Sequence, residues 1–256
     1  MSGQCVAMWS GPRNISTAMM RSWENRSDTM VVDEPFYAHF LKETGIDHPM
    51  ASEVIAAGNT DLKDIIEKLR QAPASGIFYQ KHITTHWMEY FPVDWLADIK
   101  HVFLIREPSR VVASYAVKRR GLTAFDLGYA QQAMLFDLIS EQQGRAPLVI
   151  DSARFLEDPE SQLRAVCEHL EIDFEDAMLH WPAGQRDSDG LWACHWYDAV
   201  IQSTGFGPVN NKPLTLSPEQ QQIVDSCQAH YQIMSCLLYT SPSPRDQRGS
   251  RMPSSA

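Results

Sequence analysis

Long apolar runs are missing from this chain. Nowhere does it approach the roughly 20 consecutive apolar residues that a membrane helix needs, so no membrane span is expected. The amino end has no basic stretch followed by an apolar segment and a cleavage site; no secretory leader is read there and a cytoplasmic location is expected. Cysteine is scarce and scattered, at positions 5, 167, 194, 227 and 236, without a close pair or a Cys-x-x-Cys. That argues against a disulfide framework and a zinc site and fits a reducing compartment. His180, Cys194 and His195 are too dispersed to read as ligands, and no metal is expected. Basic charge is also in deficit: 22 Lys and Arg stand against 32 Asp and Glu, a net charge of −10. General binding to nucleic acid or an anionic membrane is therefore not expected. A local basic pocket for a small anion remains open.

What is present is the composition of a globular protein, 44% hydrophobic and 21% charged over 256 residues. No internal repeat and no dividing linker occur, so residues 1–235 read as one domain. The end, CLLYTSPSPRDQRGSRMPSSA from Cys236, is rich in Ser, Pro and Arg and lacks amphipathic period. Residues 236–256 read as a disordered tail and a non-native adapter or vector scar.

Short β-branched or aromatic runs alternate with helical patterns. Strands are expected over Gln4–Ser10, Thr29–Asp33, Gly76–Gln80, His101–Arg106 and Pro147–Asp151. Helices are expected over Ser16–Arg26, Leu62–Gln71, Ser109–Lys118, Thr123–Gln143 and Pro159–Leu170, with a closing helix over Ser217–Met234. The alternation implies an α/β three-layer sandwich around a central parallel sheet. Ligands bind at the carboxyl ends of such strands, and here those ends carry Ser10-Gly-Pro-Arg13, Asp33-Glu34-Pro35, Lys81-His82 and Arg106-Glu-Pro108.

Two stretches carry most of the chemistry. In MWSGPRNISTAMMRSW a strand enters a helix through a glycine turn, which aims free N–H groups and the positive helix end at one point. Gly11 allows close approach of an oxyanion, Arg13 adds charge, and Ser16 and Thr17 add hydroxyls. The bland reading is a helix capped by Ser16 after a proline turn. A triphosphate loop would also need a Gly-Lys pair, which is absent. In HVFLIREPSRVVASY a strand ends in Arg106, Pro108 opens a helix, and Ser114 falls on its second turn. Arg106 either grips an anion beside Ser114 or pairs with a structural carboxylate.

In order, the two stretches resemble the nucleotide-binding signatures of the sulfotransferase superfamily, whose donor is 3′-phosphoadenosine 5′-phosphosulfate (PAPS). VIDSARFLEDPESQLRAVCEHLEI resembles a further segment of that family, so the resemblance spans about Met8 to Ile172. It implies a fold like that of the P-loop nucleoside triphosphate hydrolases and a PAPS site made by Gly11, Pro12, Arg13, Asn14, Ser16 and Thr17. Arg106 and Ser114 would hold the 3′-phosphate. Arg13 would also stabilise charge on the leaving phosphate, without a bridging metal. The loop departs from the family's common form, reading Arg-Asn-Ile-Ser-Thr. The acceptor would be the hydroxyl or amine of a small molecule or glycan, deprotonated by a nearby base.

Two residues compete for that base. Glu34 in VVDEPF resembles the Glu-Pro motif of carbohydrate-directed and bacterial members. His82 follows Lys81 near where cytosolic members carry Lys-x-His, and a neutral imidazole suits the task near neutral pH. His82 is placed slightly ahead. His86 reads as a capping or packing residue, and Asp33 as an orienting or capping one. Gly205, in Ser-Thr-Gly-Phe-Gly, matches a Gly-containing loop that closes over the nucleotide, or is a plain turn, since basic residues are missing before it. Trp181, Trp192, Trp196 and Tyr197 either pack the core or line an acceptor pocket. A kinase or NTPase of similar architecture, and a non-catalytic nucleotide- or protein-binding module, are the alternatives.

Overall fold

In the computed structural model, which describes residues 3–238, five strands form a single all-parallel sheet in the order β2-β3-β1-β4-β5. They are β1 (Gln4–Ser10), β2 (Thr29–Asp33), β3 (Ile77–Ile83), β4 (Lys100–Ile105) and β5 (Leu148–Asp151). The first strand is central, with β3 on one side and β4 on the other. The chain thus reverses its direction of travel across β1, and the crevice at that strand's carboxyl end is where a ligand is expected.

Period-two alternation puts each strand's side chains into two cores, one on each face. On β1, Cys5, Ala7 and Trp9 face a cluster with Phe36, Trp87, Trp95 and Phe103. Val6 and Met8 face Met19, Met20 and Trp23 of α1 (Ser16–Glu24), together with Tyr79, Phe155 and Leu163. Burial on both faces explains why these strands read as nearly continuous apolar runs.

β3 differs from expectation in a way that matters. It does not stop at Gln80 but runs to Ile83, so Lys81 and His82 are strand residues pointing to opposite faces. Glycine likewise divides the expected helix over 123–143. Gly128, at φ 73°, ends α6 (Ala124–Leu127) and begins α7 (Tyr129–Gln143). Two short helices that the sequence did not signal, α2 (Tyr37–Thr44) and α3 (Ala51–Ala57), follow β2. α4 (Leu62–Leu69) opens on an Asp61 cap. Pro108 begins α5 (Pro108–Ala116). After β5 come α8 (Ser152–Glu157) and α9 (Pro159–His169), which is capped by Asp158. The aromatic-rich segment contains α10 (Ala193–Trp196) and α11 (Asp198–Ile201), and α12 (Pro218–Ser235) closes the chain on a Ser217 capping box.

Of the expected tail, Cys236 caps α12 and Leu238 bridges to Val149; residues 239–256 lie outside the described residues. No helix among the described residues is long and apolar enough to cross a membrane.

Gly128 has two independent reasons to be glycine. Its φ is positive, and a Cβ would lie 2.8 Å from Thr84 Oγ1 and 2.9 Å from Thr85 Cγ2. Gly128→Ala should therefore destabilise the fold by at least about 1 kcal/mol, read as a lower urea midpoint at unchanged m-value.

Candidate active site

The carboxyl ends of β1, β2, β3 and β4 converge on a cavity of about 380 Å³. One half is an anion cradle. Gly11 and Pro12 turn the chain out of β1, and Arg13 adopts φ 55°, a left-handed conformation that costs a non-glycine residue energy and is found at functional sites. Asn14 pins the turn by donating from Nδ2 to Leu104 O (3.0 Å) and accepting from Ile15 N–H at Oδ1 (3.0 Å). α1 then begins at Ser16. Its N-cap is Ile15, without a side-chain cap, so Ser16 is not the cap that the bland reading required. Ser16 and Thr17 instead line the cavity on the first turn.

Across the crevice, Arg106 leaves the end of β4 and donates to Arg13 O (2.6 Å). Arg13 Nε donates to Ser114 Oγ (3.2 Å), and its Nη1 to Trp196 O (3.4 Å). Arg13, Arg106, Ser114, Ser16 and Thr17, expected to act together, all border one space. Neither guanidinium has a carboxylate within ion-pair distance among the described residues. Burial lowers the pKa of both, and their mutual proximity contributes at Arg106. Two cations held partly out of water, without a counter-ion, form a site that favours an anion.

Gly11 itself does not border the cavity. A Cβ there would stand 2.7 Å from Leu127 O, so the close approach of α6 by itself requires glycine at this position. Gly205 does border the cavity, in a short antiparallel bridge with His180, 3.0 Å from Leu179 O at its would-be Cβ.

The other half is built around Lys81. Its ammonium, 1% exposed, donates to Asp33 Oδ1 (2.8 Å), Glu34 Oε1 (2.5 Å) and Tyr197 OH (2.7 Å). Tyr197 in turn donates to Asp33 (2.8 Å to Oδ2) and accepts from Trp192 Nε1 (3.1 Å). Burial alone would pull the Lys81 pKa down; Asp33 and Glu34 more than offset it, so the ammonium is held charged. Burial pushes the Asp33 carboxyl up, against the pull of Lys81. Glu34, at φ 45°, keeps Oε1 on Lys81, while Oε2 lies 3.9 Å from His86 Nδ1 at the cavity wall.

His82 is elsewhere. Alternation along β3 turns it to the opposite face, where it stacks on Trp9 (centroids 4.1 Å apart) beside Phe36, 1% exposed. Burial, reinforced by His101, His86 and Lys81, pushes its pKa well below the usual value. The preference for His82 over Glu34 is therefore corrected: the imidazole is a core side chain. His86, read as a capping or packing residue, does reach the cavity, stacked on Tyr37 at 4.6 Å with Nδ1 unpartnered. Tyr37, three residues beyond Glu34, carried no motif. Tyr197 came without any sign that its hydroxyl would meet Asp33.

The model of the sulfotransferase domain family matches residues 4–237. This chain belongs to the sulfotransferase family.

Among solved structures, its fold is similar to a sulfotransferase from Alicyclobacillus acidocaldarius (TM-score 0.55, 10% identity, 94% of this chain and 98% of that one). It is also similar to a sulfotransferase domain from the curacin biosynthetic pathway (0.54, 15%, 89% and 98%). A mouse sulfotransferase complexed with PAP, 3′-phosphoadenosine 5′-phosphate, aligns at 0.54, 12%, 91% and 88%. Two curated relatives from Arabidopsis thaliana are named branched-chain-amino-acid aminotransferase-like proteins 2 and 1. They are 33% and 34% identical over 92% and 94% of this chain. The chain spans 42% and 44% of their lengths, less than half.

At the cavity, the Lys81 ammonium is the cation on which both Asp33 and Glu34 close. Lys81→Met would leave two carboxylates facing each other without a cation and should cost about 3–5 kcal/mol. Unpaired buried carboxyls have a folded pKa above the unfolded one, so each contributes stability at low pH and loses it as pH rises through the folded pKa. The deficit of the variant against the parent, measured by urea unfolding, should shrink as pH falls towards the carboxylate range.

Proposed function

We propose that this chain transfers a sulfuryl group from PAPS to the hydroxyl of a small acceptor, with Glu34 as the base. The observation that carries the reading is the pair of half-buried guanidiniums, Arg13 beside Ser114 and Arg106 on the Arg13 carbonyl, which border one cavity with the start of α1 and have no carboxylate within ion-pair distance among the described residues. The donor set fits a phosphate-rich donor: two cations, three hydroxyls and a helix N-terminus on one cavity wall. PAPS supplies, when bound, a sulfuryl group activated on its 5′-phosphate.

Arg13, Ser16 and Thr17 are assigned to the phosphosulfate, and Arg106 with Ser114 to the 3′-phosphate. Pro12 and Asn14 shape the loop, and Gly205 borders the same space. The acceptor hydroxyl is assigned to Glu34 Oε2, while Lys81 on Oε1 fixes the carboxylate. As the acceptor oxygen bonds to sulfur, the bond between sulfur and the 5′-phosphate oxygen breaks. The hydroxyl proton passes to Glu34, and the leaving phosphate oxygen keeps the electron pair beside Arg13. The products are a sulfate ester and PAP. Positioning and charge stabilisation carry this chemistry, and no metal is assigned to it.

PAP at about 100 times its dissociation constant should raise stability by roughly 2.7 kcal/mol, read by thermal unfolding. That rise should vanish in Arg106→Ala and in Arg13→Ala. A rise with ATP–magnesium alone would favour a kinase instead. Glu34→Gln should keep the PAP shift yet lower turnover by about 10²–10⁴-fold. His82→Ala should cost stability, because it empties the space under Trp9, while turnover per folded molecule stays within a few-fold. Loss of turnover confined to His82→Ala would return the base to that residue.

A further inference from the structure

We infer that the acceptor is a small alcohol bearing a quaternary or protonated amine, drawn into a cavity that becomes strongly negative once the donor is bound. The inference rests on the sulfotransfer reading above. It begins with charge. Three cations border the cavity, Arg13, Lys81 and Arg106, and two carboxylates oppose them, Glu34 at the wall and Asp33 behind it on Lys81.

The other basic groups nearby do not add to that total. His48 is pushed down to about 4 by burial and by Arg119, and His86 well below the usual value by burial, His48 and Lys81. Both imidazoles are neutral at physiological pH. Arg119 is paired with Asp126 (3.1 Å), and Lys118 with Asp198 (2.6 Å). The segment 203–207, which borders the cavity at Ser203, Gly205 and Gly207, brings no basic residue. A donor with a 3′-phosphate and a 5′-phosphosulfate brings about four negative charges. The loaded site therefore holds a surplus of roughly three negative charges, inside a chain whose own net charge is −10.

The second observation is the material of the wall. Tyr37, Tyr115, Trp192 and Trp196 all border the cavity. Tyr37 and Trp192 stand at right angles, 5.0 Å apart, and Tyr115 and Trp196 at 78°, 5.8 Å apart. Perpendicular rings around a concave space are suited to an alkylated ammonium, which gains from the ring quadrupole and from apolar contact together.

An anionic acceptor would meet the same surplus as repulsion.

Because the donor supplies most of the attraction, donor and acceptor affinities must be coupled, and by the same factor in both directions. The test is calorimetric titration of the whole chain, with and without PAP. Three probes are used: hydroxyethyl-trimethylammonium, its uncharged tert-butyl isostere, and the carboxylate hydroxybutanoate. The ammonium alcohol should bind about tenfold tighter with PAP present, within the usual range of such couplings. PAP should gain the same factor in return. The isostere should show no comparable gain, and the carboxylate should bind the loaded protein least. Trp192→Leu should weaken the ammonium alcohol while leaving the thermal shift by PAP intact.

Failure of PAP to bind would overturn the sulfotransfer reading. With PAP bound, equal affinity for the ammonium and its isostere, or preference for the carboxylate, would overturn the acceptor inference alone.

Discussion

One buried ammonium organises this molecule. Lys81 lies at the centre of three segments distant in sequence: its own strand, the Asp33–Glu34 end of β2, and the α10–α11 region through Tyr197. Without the carboxylates, a lysine in that position would deprotonate or drag water into the sheet. With them, it fixes where β2 ends, turns Glu34 towards the cavity and seats the aromatic segment against the sheet. Gly190 N–H, at 3.4 Å from Asp33 Oδ2, extends the same link. A second tie lies behind it, where buried Arg21 of α1 bonds Asp189 at 2.7 Å. The sheet and α1 are thus each joined to the aromatic-rich segment, the sheet through Lys81 and Asp33 and the helix through Arg21.

Of the four non-glycine residues at positive φ among the described residues, two lie at this cavity. Arg13 and Glu34 are both non-glycine residues at positive φ, one on each side of the cavity. Such conformations persist only where the surroundings over-determine them. Arg106 on the Arg13 carbonyl and Lys81 on the Glu34 carboxylate are those surroundings. Side-chain placement at the site follows from hydrogen bonds made elsewhere in the fold.

Much of the layout was legible in the sequence. The five strands were marked by short apolar runs, and four of them begin and end within a residue or two of expectation. Arg13, Ser16, Thr17, Arg106 and Ser114 could be drawn together because each sits at a strand end or on a first or second helical turn, where local spacing fixes direction. His82 could not be placed, because everything depended on whether β3 stopped at Gln80. Carried three residues further, the strand sends Lys81 and His82 to opposite faces, since side-chain direction has period two. The packing reason for Gly11 was not legible either, because its neighbour, the Leu127 carbonyl, arrives from a remote helix. Tyr197 and His86 depend on contacts between distant elements, for which a lone sequence offers no periodic signal.

The central position of β1 also bears on how the chain assembles. Within this domain, the strand made before the other four is the one that needs partners on both edges, and Val6 pairs with Tyr79 and Lys100. At about 5–20 residues per second of synthesis, Val6, Met8 and Trp9 wait for seconds with both faces and both edges open. Non-local parallel pairing is slow for the same entropic reason. β1 therefore completes its pairing, and the two faces of the sheet their cores, only after β4 has been made.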